Sequence, residues 1–172
     1  MKSSDNLIKF IGSYETATGE PFLTAVKSPE QNSKETKYEI GWGHNSDSYF
    51  PVNKDTKITY EKAVDLLHYD IKEAEDIINK FLKTLSYTPP QHEFDAMVSA
   101  RYNGIPIGSS KCSLTQAIRL HDLHQIQKCW SMWVYMTVKD KTGKPQKVRA
   151  SGLVKRRQDE LKIYIEGIYE RT

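Results

Sequence analysis

Tyr38-Glu39-Ile40-Gly41-Trp42-Gly43-His44 gathers a carboxylate, an indole and an imidazole within one short stretch of chain. It reads as a strand that stops at two glycines one residue apart. Glycine serves tight turns and close backbone approach. Glu39 sits just before that turn, Trp42 within it and His44 after it, the way a polar site is presented at the lip of a cleft. A carboxylate in such a place can hold or move a proton. The same residues also suit an ordinary hairpin corner with a surface glutamate, and on their own they leave both readings open.

Certain elements must position that corner. Asp5 or Asn6 can cap a first helix, on which Leu7, Ile8, Ile11 and Tyr14 share a face and Gly12 is a weak point. Residues 16–21 read as a loop. Phe22–Lys27 and Lys37–Ile40 read as strands, joined by a long polar connection from Ser28 to Thr36. Pro51 and Asn53 mark further turns. Val64, Leu67, Ile71, Ala74, Ile78, Phe81 and Leu85 then recur at spacings of three and four. With Thr59 as cap they predict a helix to about Lys83, roughly 37 Å long. That exceeds the width of a small lobe, so the helix is expected to bridge two lobes.

Pro89 and Pro90 break the chain and start the next helix, where Phe94, Met97, Val98 and Arg101 share a face. Further helices are expected after Ser113 and Asp122, the second running toward Trp133. Trp130 and Trp133, at helical spacing, read as core, with a sugar platform as the alternative. Lys139–Ser151 is a basic turn or short hairpin. Leu153, Leu161, Tyr164, Ile165 and Ile168 mark a last helix. There is no internal repeat or low-complexity segment.

The chain has 172 residues, enough for one domain with a substantial core and no need of metal or disulfide staples. Cys112 and Cys129 lack metal-ligand spacing and read as packed thiols, with a bridge left open. A composition of 38% hydrophobic and 27% charged residues is that of a soluble globular protein. Only a brief apolar stretch follows Met1–Asn6, so neither a signal peptide nor a membrane span is expected, and the chain should fold in a cytoplasm. The net charge of +3 is unevenly spread. Lys139, Lys141, Lys144, Lys147, Arg149, Lys155, Arg156 and Arg157 are accompanied by Asp140 alone. This stretch suits either an anionic partner or a solvated loop and helix start. It lacks the interleaved aromatics of single-strand binders, so no nucleic-acid partner is expected.

Four segments, in order, resemble the bacteriophage-type lysozymes of glycoside hydrolase family 24. Tyr38–His44 is similar to the family's Y-T-I-G-Y/I-G-H. Ile58-Thr59, Ala63, Leu66-Leu67 and Asp70 resemble I-T-x-x-x-A-x-x-L-L-x-x-D. Phe94–Ser99 with Tyr102-Asn103-Gly104 resembles Q-F-D-A-L-V-S followed by F-N-x-G. Gly152–Glu160 resembles G-L-x-x-R-R-x-x-E. Together they cover most of the chain. The resemblance implies an α+β lysozyme-like fold. It would have a small strand-containing lobe (about 14–58), a linking helix (about 59–83), and a helical lobe (about 84–172) with the N-terminal helix. The substrate cleft would lie between the lobes.

The implied chemistry is cleavage of a glycosidic bond, which needs one group to protonate the leaving oxygen and a second to activate water or attack the sugar. Ser13-Tyr14-Glu15 matches the family's S-F-E, making Glu15 the favoured acid. Glu20 competes, because Glu20–Ala25 resembles E-G-F-x-L-x-A with one residue missing. Glu39 stands where the family carries a threonine that holds the attacking water. The family's aspartate, about six residues earlier, is absent here; its place falls near Ser33. Glu39 is therefore expected to supply the second carboxylate, with Glu30 and Glu35 as alternatives. Asn103, Gly104 and Trp42 are candidate sugar contacts, although Asn103 and Gly104 equally suit a plain helix end. His44 is expected to pair with Asp70 structurally, and Arg156, Arg157 and Glu160 to serve packing and ion pairing.

The resemblance thus implies a peptidoglycan muramidase of phage origin, monomeric, with no metal or cofactor. It would be made in the host cytoplasm and reach the wall through a pore or on a virion. Two rivals stay open: a wall-binding lysozyme fold that has lost catalysis, and a lytic transglycosylase.

Overall fold

The computed structural model describes residues 1–29 and 36–172. Glu30, Ser33 and Glu35 lie outside the described residues. The fold is α+β and divides into two compact units. One is Ile8–Glu73; the other combines Met1–Leu7 with Ala74–Thr172.

The strand-containing unit holds most of helix α1 (Asp5–Glu15) and an antiparallel sheet of β1 (Phe22–Lys27), β2 (Tyr38–Gly41) and β3 (His44–Asn45). β2 is central: Glu39 lies opposite Val26 on one side and Asn45 on the other. Ile40, Val52 and Leu66 form its core, with Ala25, Tyr38, Phe50 and Ile58 packed around them. Helix α2 (Tyr60–Leu82) begins in this unit and ends in the other. Thr59 caps it as expected, its Oγ1 accepting the Lys62 N–H at 3.2 Å.

The cap of α1 is neither Asp5 nor Asn6. It is Ser4, whose hydroxyl accepts the Leu7 N–H at 3.2 Å and donates to Asp95 at 2.5 Å. A distant partner thus decides between neighbouring residues of similar capping propensity.

The helical unit contains α3 (Gln91–Tyr102), α4 (Ser113–Arg119), α5 (Leu123–Ser131) and α6 (Ser151–Glu166). Asp122 caps α5 by accepting the Gln125 N–H at 3.0 Å. Every residue of α3 from Phe94 to Ala100 is buried. The polar ones among them are satisfied: Asp95 accepts from Ser4, Gln91 and Tyr169, and Ser99 donates to Glu160. The basic stretch is a hairpin of β4 (Tyr135–Lys139) and β5 (Pro145–Arg149). Its first strand begins before the basic run and was not legible in it.

Two apolar readings need correction. Trp130 is fully buried, but α5 stops at Ser131, and Trp133 lies beyond it with 38% of its surface exposed. Gly167, at φ 69°, ends α6, so Ile168 falls outside that helix, and both Ile165 and Ile168 are exposed. Cys112 and Cys129 are buried free thiols. Among the described residues, no helix is long and apolar enough to cross a membrane.

Candidate active site

The corner that carries Glu39 has a conformation that explains its glycines. Ile40 pairs with His44 across Gly41, Trp42 and Gly43, and the two glycines sit at φ 63° and 94°. Other residues rarely adopt such angles. Tyr38 and Ile40 turn toward the core of the unit. Strand alternation therefore sends Glu39 to the opposite face, where it is half-buried.

Trp42, expected at a sugar contact, is only 5% exposed. Its Nε1–H donates to the Gly19 carbonyl at 2.9 Å, and the edge of Tyr60 packs against it at 5.7 Å. Its ring also lies on Gly12, where an added Cβ would come within 2.8 Å of the indole. The indole is a clamp tying the β2–β3 corner to the last turn of α1 and to the loop that follows. Gly12 reads from sequence as a weak point in a helix. The structure shows that it makes room for the indole, a role that needs a partner 30 residues away.

Glu15 is the last residue of α1, three residues past Gly12, and is half-buried. Leu7, Ile8, Phe10 and Ile11 anchor that helix by burial. Glu20 lies outside any helix and is exposed. Its backbone is held locally: the Thr16 hydroxyl donates to its carbonyl at 2.9 Å, and Thr18 Oγ1 accepts its N–H at 3.3 Å. Glu15 and Glu39 therefore stand on two elements of one unit that Trp42 joins.

His44 is buried, and its Nδ1 lies 2.8 Å from Asp70 Oδ1 on α2. Its Nε2 faces the Phe50 carbonyl at 3.4 Å and Asp47 at 3.7 Å. Burial disfavours the imidazolium, but the hydrogen bond and charge of Asp70, with help from Phe50 and Asp47, outweigh it and raise the pKa above the ordinary 6.5. The protonated pair thus stabilises the fold fully below pH 6.5, and this contribution is lost as pH climbs through the raised folded-state value. We expect Asp70→Asn to lower the His44 pKa in an NMR titration. It should also cost about 1.5–3 kcal/mol of stability in the acidic range, a deficit that narrows as pH rises. An unchanged His44 titration would refute the pairing.

Asn103 and Gly104 belong to the helical unit. Asn103 ends α3, its N–H donating to the Ser99 carbonyl at 3.0 Å and its side-chain oxygen accepting from Arg157. Gly104 is exposed at φ 91°, with open space where a side chain would stand. The helix-end role is thus filled. Behind it, Glu160 is fully buried and accepts from Ser99 at 2.8 Å and Trp130 at 3.0 Å. It also meets Arg157 Nε at 3.1 Å and Arg156 Nε at 3.4 Å. These arginines and Glu160 have the packing and pairing role expected of them.

The profile of the family described as phage lysozyme matches residues 23–160. The endolysin of Bacillus phage B103 is 34% identical over 134 residues, which are 77% of this chain and 45% of that protein. The chain thus spans about half the length of that curated relative. Among solved structures, the endolysin from Escherichia coli O157:H7 phage FAHEc1 superposes with a TM-score of 0.77 at 27% identity, covering 99% of this chain and 97% of that one. The muramidase domain of SpmX from Asticaccaulis excentricus shares the fold with a TM-score of 0.70 at 21% identity, over 95% of this chain and 97% of that one. With the profile covering most of its length, this chain belongs to the phage lysozyme family.

Proposed function

We propose that this protein degrades bacterial peptidoglycan as a muramidase, hydrolysing the β-1,4 bond between N-acetylmuramic acid and N-acetylglucosamine. The observation that carries this reading is the Trp42 clamp, which ties the corner that follows Glu39 to the helix that ends in Glu15, within one unit. Glu15 donates its proton to the leaving glycosidic oxygen as the bond to the anomeric carbon breaks. Glu39 completes the reaction on the other side of the sugar. It either takes a proton from the attacking water, giving inversion, or bonds to the anomeric carbon until water displaces it, giving retention. Carboxyl separations of roughly 6.5–9.5 Å lead to the first and about 5 Å to the second. Asn103 and Gly104 contribute sugar contacts through the side-chain amide and the open backbone. The protein acts as a monomer, reaching the wall from the host cytoplasm through a pore or on a particle.

The test is clearing of purified peptidoglycan, with mass spectrometry of the fragments, for the wild type and Glu39→Gln. Hydrated reducing-end products are expected, and a loss of about 10²-fold or more in the variant. Fragments lighter by one water would instead identify a lytic transglycosylase. A folded protein that binds the wall and clears none of it would identify a non-catalytic module.

A further inference from the structure

The β4–β5 hairpin sorts its side chains onto two chemically different faces. Directly opposed residues on antiparallel strands point the same way. The pairs Met136–Val148 and Val138–Gln146 therefore share one face, and Tyr135–Arg149, Thr137–Lys147 and Lys139–Pro145 share the other. The first face carries three apolar side chains, and Met136 and Val148 are 48% and 37% exposed. The second carries Lys139, Lys147 and Arg149, while Lys141 and Lys144 lie in the turn, all of them exposed. The exposed Met132 and Trp133 lead into the first strand.

The one acid between Tyr135 and Gln158 is outnumbered by these cations, so the hairpin keeps a net positive charge. Asp140 is engaged inside the turn, accepting from the N–H and hydroxyl of Thr142 at 2.8 and 2.7 Å, from the Lys144 N–H at 3.0 Å and from Gln146 at 3.3 Å. It stiffens the tip and leaves five cations facing solvent.

We propose that this hairpin docks on an anionic lipid bilayer, its apolar face and Trp133 entering the headgroup boundary while the cations meet lipid phosphates. A soluble polyanion would need the cations alone. The exposed Met136, Val148 and Trp133 favour an apolar phase, and amphipathic elements with basic residues and an aromatic anchor settle at membrane interfaces. Each cation near such a surface adds to the attraction.

The intact protein reports its own docking. Trp42 and Trp130 are buried, so a fluorescence change on adding vesicles comes from Trp133. Phosphatidylcholine vesicles with phosphatidylglycerol at about one lipid in three should sediment the protein and shift its emission to the blue; phosphatidylcholine alone should do neither. Met136→Ser with Val148→Ser should weaken vesicle binding about tenfold. Its wall clearing and melting temperature should stay unchanged, because both side chains are exposed. The proposal is overturned if that variant binds vesicles as the wild type does. It is also overturned if poly(glycerol phosphate) in solution competes fully with the vesicles, which would make the hairpin a polyanion site, or if the wild type does not bind vesicles.

Discussion

Glu15→Gln is expected to slow peptidoglycan clearing by about 10²–10⁴-fold, the usual share of a positioned proton donor, while Glu20→Gln leaves it unchanged. Glutamine keeps the size and polarity of the side chain but has no acidic proton to give. The two glutamates are five positions apart, yet their mounting differs. Glu15 ends a helix whose apolar face is buried and whose last turn the indole of Trp42 covers. Glu20 is an exposed side chain on a loop. A general acid must stay within hydrogen-bond reach of one oxygen atom, which favours the helix-mounted group. Melting temperatures should be alike for both variants, so that a lost rate reflects chemistry. If Glu20→Gln abolishes clearing and Glu15→Gln does not, the roles are reversed.

The largest effect on stability is expected at Glu160. Its carboxylate is fully buried between Arg156 and Arg157 and also accepts from Ser99 and Trp130. Glu160→Ala removes the counter-charge of two buried guanidinium groups and leaves a hydroxyl and an indole N–H without their acceptor. Breaking a buried pair from one side costs about 3–5 kcal/mol, or a drop of about 6–20 °C in melting temperature for a chain of this size. Glu160→Gln, which retains an acceptor but not the charge, should fall between the two. Thermal unfolding followed by circular dichroism measures both. A Glu160→Ala protein that melts with the wild type would show that the arginines do not depend on this carboxylate.

What could be read from the sequence follows from the range of the forces involved. Helix α2 was legible nearly to its ends, because its apolar spacing and its Thr59 cap are local signals. Strand β1 and the Asp122 cap were legible for the same reason. The two glycines of the corner announced its turn. The cap of α1 was not legible, since Ser4 is selected by Asp95, a residue 91 positions away. Nor was the burial of Trp42, which shows only once Gly12 and Gly19 are seen to receive the indole. Trp133 kept helical spacing with Trp130, but the helix ended between them. Of the candidate site, sequence supplied the residue types. The contact that joins the helix of Glu15 to the corner after Glu39 required tertiary structure.

The asymmetric make-up of the two units has a consequence for how the chain comes into being. Ile8–Glu73 is one contiguous stretch and can close its core once Glu73 has left the ribosome. The other unit cannot, because its first seven residues are separated from the rest. Ser4 must wait for Asp95, and that carboxylate is complete only when Tyr169 arrives to donate to it at 2.6 Å. At common rates of translation, the delay between Ser4 and Tyr169 is about ten to thirty seconds. Glu15 and Glu39 thus both lie in the stretch that is synthesised first, ahead of most of the helical unit.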